Sequence, residues 1–276
     1  MWIIATFGNK PNWKPALRRM KSQFGKLPDG YKGIVYDQEN LKKELISLNQ
    51  WDFVNNNHRG FGYWIWKPIL ILELFKQFPQ CTGVIYLDAG CELNINQNSM
   101  KRLGQYQDLA MQQGVLSFEL NALEIDFTSP YTANKMEMVI DSSWRQSMAT
   151  TFIVTNTEFG KQFLTTWFEL MLSDGYRLLK GEDDVFVSTH CTTPYFYKEH
   201  RHDQSIFSLL IKKNGLISIR EESEWYPNWS TKGANFPIWA ARNRLRISIK
   251  CKRITNLSYR LLRKLINLIT IGKIKI

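Results

Sequence analysis

Asp88 and Glu92 bracket the small residues Ala89, Gly90 and Cys91, directly after the apolar run Val84-Ile85-Tyr86-Leu87. A short apolar run that stops on an acid reads as a buried strand whose last side chain meets solvent. In an open α/β sheet, ligands bind outside the carboxyl ends of the strands. Asp88 therefore falls where a carboxylate can bridge through a metal to phosphate or accept from a sugar hydroxyl. Gly90 lets backbone approach closely at the same place.

Other groups with chemical potential lie far from this point in sequence. His200-Arg201-His202-Asp203-Gln204-Ser205 is a charge-dense turn running into the apolar residues Ile206, Phe207, Leu209 and Leu210. This places Asp203 at a helix N-terminus, where the dipole favours its anion. There it serves as a base on a hydroxyl, as a partner for a ligand, or simply as an N-cap. Glu182-Asp183-Asp184 is a second acidic cluster, either a reserve source of a catalytic base or a solvated loop. Arg59 and Lys67 flank Tyr63, Trp64 and Trp66; cations there can neutralise developing phosphate charge, while the rings read as core. Trp225, Tyr226 and Trp229 can stack on a sugar or seal the interior. His190, Cys191, His200 and His202 match neither usual zinc spacing. GxSxG, P-loop and GxGxxG patterns are missing, which removes the common hydrolase, P-loop and dinucleotide-binding classes.

The elements that must position these residues alternate. Strands are expected near 2–7, 33–36, 84–87, 115–118, 151–155 and 216–219, separated by helical patterns, as in a mostly parallel sheet flanked by helices. Several end in a polar residue or glycine (Gly8 and Asn9, Asp37, Asp88, Glu119, Asn156), so distant positions are expected to converge on one sheet edge. Helices are expected from about Ile69 to Phe78 with Pro68 in the first turn, at 157–172 capped by Asn156 or Thr157, and at 204–213 capped by Asp203. Aromatic and turn residues crowding 225–239 suggest an ordered loop over the sheet edge.

The charge is uneven. Of 36 lysines and arginines in 276 residues, eleven lie from Arg242 onward with no acid among them, so residues 1–241 balance and the tail carries the net +11. We divide the chain accordingly into a catalytic domain, 1–241, and a basic extension, 242–276. From Tyr259 to Thr270, Leu261, Leu262, Leu265, Ile266, Leu268 and Ile269 share one helical face opposite Arg260, Arg263, Lys264 and Asn267. That pattern reads as a helix lying on an anionic membrane. With no CxxC spacing, no leader-like N-terminus and no apolar run near ~20 residues, the expected location is cytoplasmic, peripheral on the inner face of the cytoplasmic membrane.

With these elements in order, the chain resembles glycosyltransferases of the GT-A fold, particularly bacterial enzymes of capsule, O-antigen and lipooligosaccharide assembly. The resemblance rests on Thr6-Phe7-Gly8-Asn9, the Arg59 to Pro68 segment, Tyr86 to Glu92, Ser147 to Asn156, and His200 to Ser205. It implies a hexosyltransferase-like enzyme moving sugar from a nucleotide-sugar, a UDP-sugar in the first instance, to a lipid-linked or cell-surface saccharide. In that fold the first strand end holds the nucleotide, which assigns Thr6, Phe7, Gly8 and Asn9 to the donor, with Asp37, Arg59, Lys67, Ala89 and Gly90 completing the expected pocket. A DxD motif there grips a divalent metal, Mn2+ or Mg2+. Asp88-Ala89-Gly90 matches its first acid only, and the expected ligand set is Asp88 with Glu92 and His202. The catalytic candidates are Asp203 and Asp88, then Glu182 and Asp183. Two rivals remain: a saccharide-binding or scaffolding protein with the same fold, and a nucleic-acid binder acting through the tail. No nucleic acid is expected, because the aromatics lie in the neutral body.

Overall fold

The computed structural model describes residues 1–9, 12–181 and 197–249. Its strands are β1 (Trp2–Phe7), β2 (Tyr31–Tyr36), β3 (Gly83–Asp88), β4 (Glu92–Leu93), β5 (Val115–Leu116), β6 (Phe118–Leu123), β7 (Arg145–Ser147), β8 (Thr151–Thr155), β9 (Ile219–Arg220) and β10 (Ile238–Trp239). The helices are α1 (Lys14–Phe24), α2 (Gln38–Ser47), α3 (Trp51–Asn56), α4 (Gly60–Tyr63), α5 (Trp66–Gln77), α6 (Gln97–Gln113), α7 (Glu124–Phe127), α8 (Pro130–Lys135), α9 (Glu158–Lys180) and α10 (Asp203–Lys213).

The central sheet has the order β2-β1-β3-β8-β5. Alternate residues of its strands enter two cores. Ile3, Ala5, Phe7, Val84, Tyr86, Phe152 and Val154 meet α2, α5, α9 and α10 on one face. Ile4, Ile85, Leu87 and Ile153 meet α1 and α6 on the other. Burial on both faces explains why Val84-Ile85-Tyr86-Leu87 is continuously apolar rather than alternating. All four side chains are fully buried, each contributing about 1.5–3 kcal/mol.

β1 pairs in parallel with β2 and β3, but β8 runs antiparallel to both β3 and β5. This corrects the expectation that Asn156 joins Asp88 at one edge. Gly83 lies opposite Thr155 and Leu87 opposite Thr151, so Asn156 sits at the far end, where its N–H donates to the Thr82 carbonyl at 2.9 Å. The amino end of β8 comes to the Asp88 edge instead, and Asp88 N–H donates to Thr150 O at 2.9 Å. A smaller sheet, β7-β6-β9, and the pair β10-β4 flank the same end.

The helix expected from Ile69 begins earlier, at Trp66, after an unusual entry. Gly60, Phe61, Gly62, Tyr63 and Trp64 all have positive φ, from 53° to 80°, making a left-handed turn. That costs about 1–2 kcal/mol at each of Phe61, Tyr63 and Trp64. Offsetting contacts include Gly62 N–H to Asn57 O at 2.7 Å, Trp66 Nε1 to Gly60 O at 3.0 Å and the Phe7–Phe61 stack. The turn aims Lys67 inward. Thr157 caps α9 through a bond from Gly160 N–H. Asp203 does not cap α10; the N-cap is His202, with φ of 53°, and Asp203 is the first helical residue.

Asn243, Ser248 and Ile249 hydrogen-bond to Glu92, packing this segment on the body. Glu182, Asp183, Asp184, His190, Cys191 and the amphipathic 259–270 stretch lie outside the described residues. No helix among the described residues is long and apolar enough to cross a membrane.

Candidate active site

A cleft of about 1090 Å3 opens at the carboxyl ends of β1 and β3. The register places Phe7 opposite Asp88, so Phe7, Gly8 and Asn9 share this cleft with Asp88, Ala89 and Gly90. These six were all expected at the donor site. Trp64 and Trp66 close one side, while Leu120, Asn121 and Ala122 of β6 line another. Trp66 is buried but lies on Phe7 with ring centroids 4.0 Å apart, so it is both core and wall.

Asp88 is the accessible end of a buried polar chain. Its side chain is 30% exposed and 3.7 Å from Lys67 Nζ, and its Oδ1 accepts from Tyr86 OH at 2.7 Å. Tyr86 and Asp88 lie two apart on one strand and therefore face the same side. Lys67, from the first turn of α5, is 2% exposed. It donates to Asp203 Oδ2 at 2.7 Å and to Ala149 O at 2.9 Å, and its ammonium lies over the rings of Trp64 and Tyr86. Burial pulls the Lys67 ammonium downward, but Asp203 and Asp88 together outweigh it and hold Lys67 above its usual value. Burial pushes Asp203 up to about 6, with Lys67 pulling the other way. Burial and the neighbouring Asp88 raise the Tyr86 phenol well above its ordinary range. One charged lysine thus braces two carboxylates, only one of which reaches the cleft.

Several expected roles need correction. Asp203 is buried at 3% exposure and does not line the cleft; its carboxylate accepts from Lys67 instead of facing an incoming hydroxyl. Thr6 is fully buried within β1, and its hydroxyl has no hydrogen-bond partner among the described residues. Asp37 caps α2, accepting from Glu39 N and Asn40 N. Arg59 is exposed in an ion pair with Glu199 at 2.5 Å. Lys67 lies behind the cleft wall rather than in it.

The expected metal ligands are not gathered. Glu92 is 1% exposed, and its carboxylate accepts from Asn243 Nδ2 at 2.5 Å, Ile249 N at 3.0 Å and Ser248 Oγ. Buried Arg19 lies 3.8 Å away. His202 turns Nδ1 to Leu179 O at 2.9 Å and packs on Tyr63 and Trp64; burial holds it down to about 4. His200 accepts from Ser129 N–H at 3.1 Å and is held down to about 3, also by burial. Among the described residues no three His, Cys, Asp or Glu side chains converge to hold a metal. Asp88 is thus the one member of the expected set that faces the cleft, and the set does not fit a metal held by protein ligands.

Arg201, Gln204, Glu221, Glu224, Arg242 and Arg244 also line the cleft and were not expected there. Gln204 and Arg201 belong to the His200 to Ser205 motif, Gln204 directly after Asp203 and Arg201 two residues before it. Arg242 and Arg244 carried no such signal, since their charge merged with that of the tail.

No protein-family model matches this chain, and neither does any curated protein. Among solved structures, similarity covers 86% of this chain and 91% of a glycosyltransferase involved in the glycosylation of the major capsid of PBCV-1, at 11% identity and a TM-score of 0.50. The fold is GT-A-like. Mouse xyloside xylosyltransferase 1, in its apo form, aligns over 90% of this chain and 99% of its own at 10% identity, with a TM-score of 0.49. Asp88 stands at the carboxyl ends of the parallel strands β1 and β3, the edge outside which open α/β sheets generally bind ligands.

Proposed function

We propose that the protein is a glycosyltransferase that moves a sugar from a nucleotide-sugar, a UDP-sugar in the first instance, to a saccharide hydroxyl. The observation that carries this reading is Asp88, presented at the mouth of a large cleft and braced from behind by Lys67 and Tyr86. The cleft exceeds the ~300–1000 Å3 of ordinary small-molecule pockets, enough for a donor and the end of an acceptor. Catalysis then consists of holding the hydroxyl against the anomeric carbon and stabilising charge on the departing diphosphate. Asp88 orients the reacting groups, and the Lys67–Asp203 pair fixes Asp88. Arg242 and Arg244 face the cleft, and the other basic residues of 242–276 support a lipid-linked acceptor, in the manner of capsule and O-antigen assembly: a chain held on an anionic membrane meets such acceptors at high effective concentration.

Thermal-shift screening against UDP, GDP, CMP and dTDP sugars identifies the donor, since a ligand bound only by the folded state raises its melting temperature. Release of the nucleoside diphosphate then measures turnover. Asp88→Asn is expected to lower turnover by roughly 100-fold or more, the scale seen when one preorganised polar group is removed. Full turnover in that variant, or no response to any donor, refutes the proposal.

A further inference from the structure

Gly90 stands where the resemblance places a second acid, and the structure gives a steric reason. A Cβ on Gly90 would lie 3.2 Å from the Cα of Arg242 and 3.5 Å from its carbonyl carbon. The chain returning at residue 242 runs so close that a Cβ would have to displace it by a few tenths of an ångström, and it is stitched in place. Asn243 N–H donates to Gly90 O at 2.8 Å, and Glu92 accepts from Asn243 and Ile249 as described. Arg19, from α1, donates to Ala89 O at 2.9 Å, to Cys91 O at 3.0 Å and to the Leu245 carbonyl. Arg242 itself has φ of 48°, a left-handed conformation that a side-chain-bearing residue keeps only when its surroundings enforce it.

The docked arginine lines the cleft together with Arg201 and Arg244, beside Asp88. Arg244 lies over the Trp13 ring at 5.0 Å, and Arg201 lies over Phe127 while donating to Gln146 Oε1 at 3.2 Å. Among the described residues no ion pair engages any of the three. Burial lowers the Arg201 guanidinium; Glu199 opposes that shift, and Arg242 adds to it as a repelling like charge. Of the carboxylates on the same cleft, Glu221 accepts from Ser223 N and Oγ, both at 2.5 Å. Glu224 is pushed up by burial, with Arg242 opposing. The cleft thus sets three arginines against the carboxylates of Asp88, Glu221 and Glu224, with none of the three guanidiniums held in a close ion pair among the described residues.

We propose that Arg242, assisted by Arg201, binds the diphosphate of the donor beside Asp88, in the place where a second carboxylate and its metal would otherwise stand. The inference rests on the nucleotide-sugar reading and adds to it a recognition group and a metal-independent mode of binding. A guanidinium offers paired N–H donors whose geometry matches two phosphate oxygens. It also supplies positive charge where the leaving group develops negative charge. Lys67, 3.7 Å behind Asp88, offsets part of the repulsion between that carboxylate and the phosphates.

The test titrates inorganic pyrophosphate and UDP into the full chain by calorimetry, in excess EDTA and in excess manganese, for the wild type, Arg242→Gln and Arg242→Lys, with thermal melts to establish that each variant is folded. The expected result is pyrophosphate affinity that is equal in EDTA and manganese. It weakens roughly tenfold to hundredfold in Arg242→Gln, as for loss of a charged hydrogen bond, and less in Arg242→Lys, which keeps charge without the fork. Binding that requires manganese, or that is unchanged in Arg242→Gln, overturns the proposal. If UDP still binds with manganese in that case, the nucleotide-sugar reading survives. Absence of pyrophosphate binding in every condition overturns the proposal as well, and a simultaneous failure of the whole donor panel removes the reading beneath it.

Discussion

Replacing Lys67 by methionine removes the one cation between two carboxylates while keeping the volume of the side chain. Asp203, 3% exposed, would then be buried without its partner at 2.7 Å, and Ala149 O would lose its donor. Removing one member of a buried pair costs about 3–5 kcal/mol. With about 2.1 cal/mol/K of unfolding entropy per residue, a chain of 276 residues melts a little under 2 °C lower per kcal/mol, so the drop is about 5–9 °C. The loss should depend on pH with a definite sign. Asp203 already has a folded value of about 6 against an ordinary 3.8, worth about 3 kcal/mol of lost stability at high pH. A raised acid contributes stability at low pH that disappears as pH rises through the folded value. Without Lys67 that value rises further, so the deficit relative to wild type is largest near ~pH 8 and shrinks toward ~pH 5, where Asp203 takes up its proton. Lys67, raised above 10.5, keeps its charge across this range and adds no slope. Adding Asp203→Leu should restore most of the stability, because an apolar pair replaces an orphaned charge. Urea denaturation of the three proteins at both pH values measures all of this. A deficit below about 1 kcal/mol, or one that is equal at both pH values, refutes the account of the site as a braced carboxylate.

Other expectations follow from the same packing. Glu92→Ala leaves buried Arg19 without its carboxylate at 3.8 Å, should cost about 3–5 kcal/mol, and should loosen 243–249. Limited trypsin digestion is then expected to cut after Arg244 or Arg246 faster than in wild type, and an unchanged rate counts against Glu92 as the anchor of this segment. Trp167→Ala empties a fully buried site between Phe152 and Phe207 and should cost about 3–5 kcal/mol. Because Trp167 Nε1 also donates to Asp203 O at 3.1 Å, turnover measured on the folded fraction should fall too; unaltered turnover would separate α10 placement from the chemistry.

Much of the scaffold could be read in advance because it follows from local pattern. Strands at 2–7, 84–87 and 151–155 and the helix at 204–213 lie within a few residues of their expected bounds, and the helix after Thr157 starts where expected but runs on from 172 to Lys180. Strand direction could not be read. A run such as Thr151-Phe152-Ile153-Val154-Thr155 is equally apolar in either sense, and the reversal of β8 moved Asn156 to the opposite edge. β4, β7 and β10 are too short to show a period. Tyr86 was legible in principle, since strand parity puts it on the side of Asp88. The histidines were misplaced because burial among Tyr63, Trp64 and Ser129 leaves no mark in their spacing.

By itself the sequence determined that a buried strand delivers Asp88 to a sheet edge, since continuous hydrophobicity ending in an acid has few other solutions in an α/β chain. Only the tertiary structure decided which groups answer that carboxylate. Lys67 and Asp203, 136 positions apart, meet because two helices pack on one face of the sheet. Arg242 reaches Gly90 because the returning chain is tied there, Asn243 N–H donating to Gly90 O at 2.8 Å. Charge counted along the sequence assigned that arginine to a membrane; packing put it in the cleft, since electrostatic partners are chosen by distance in space.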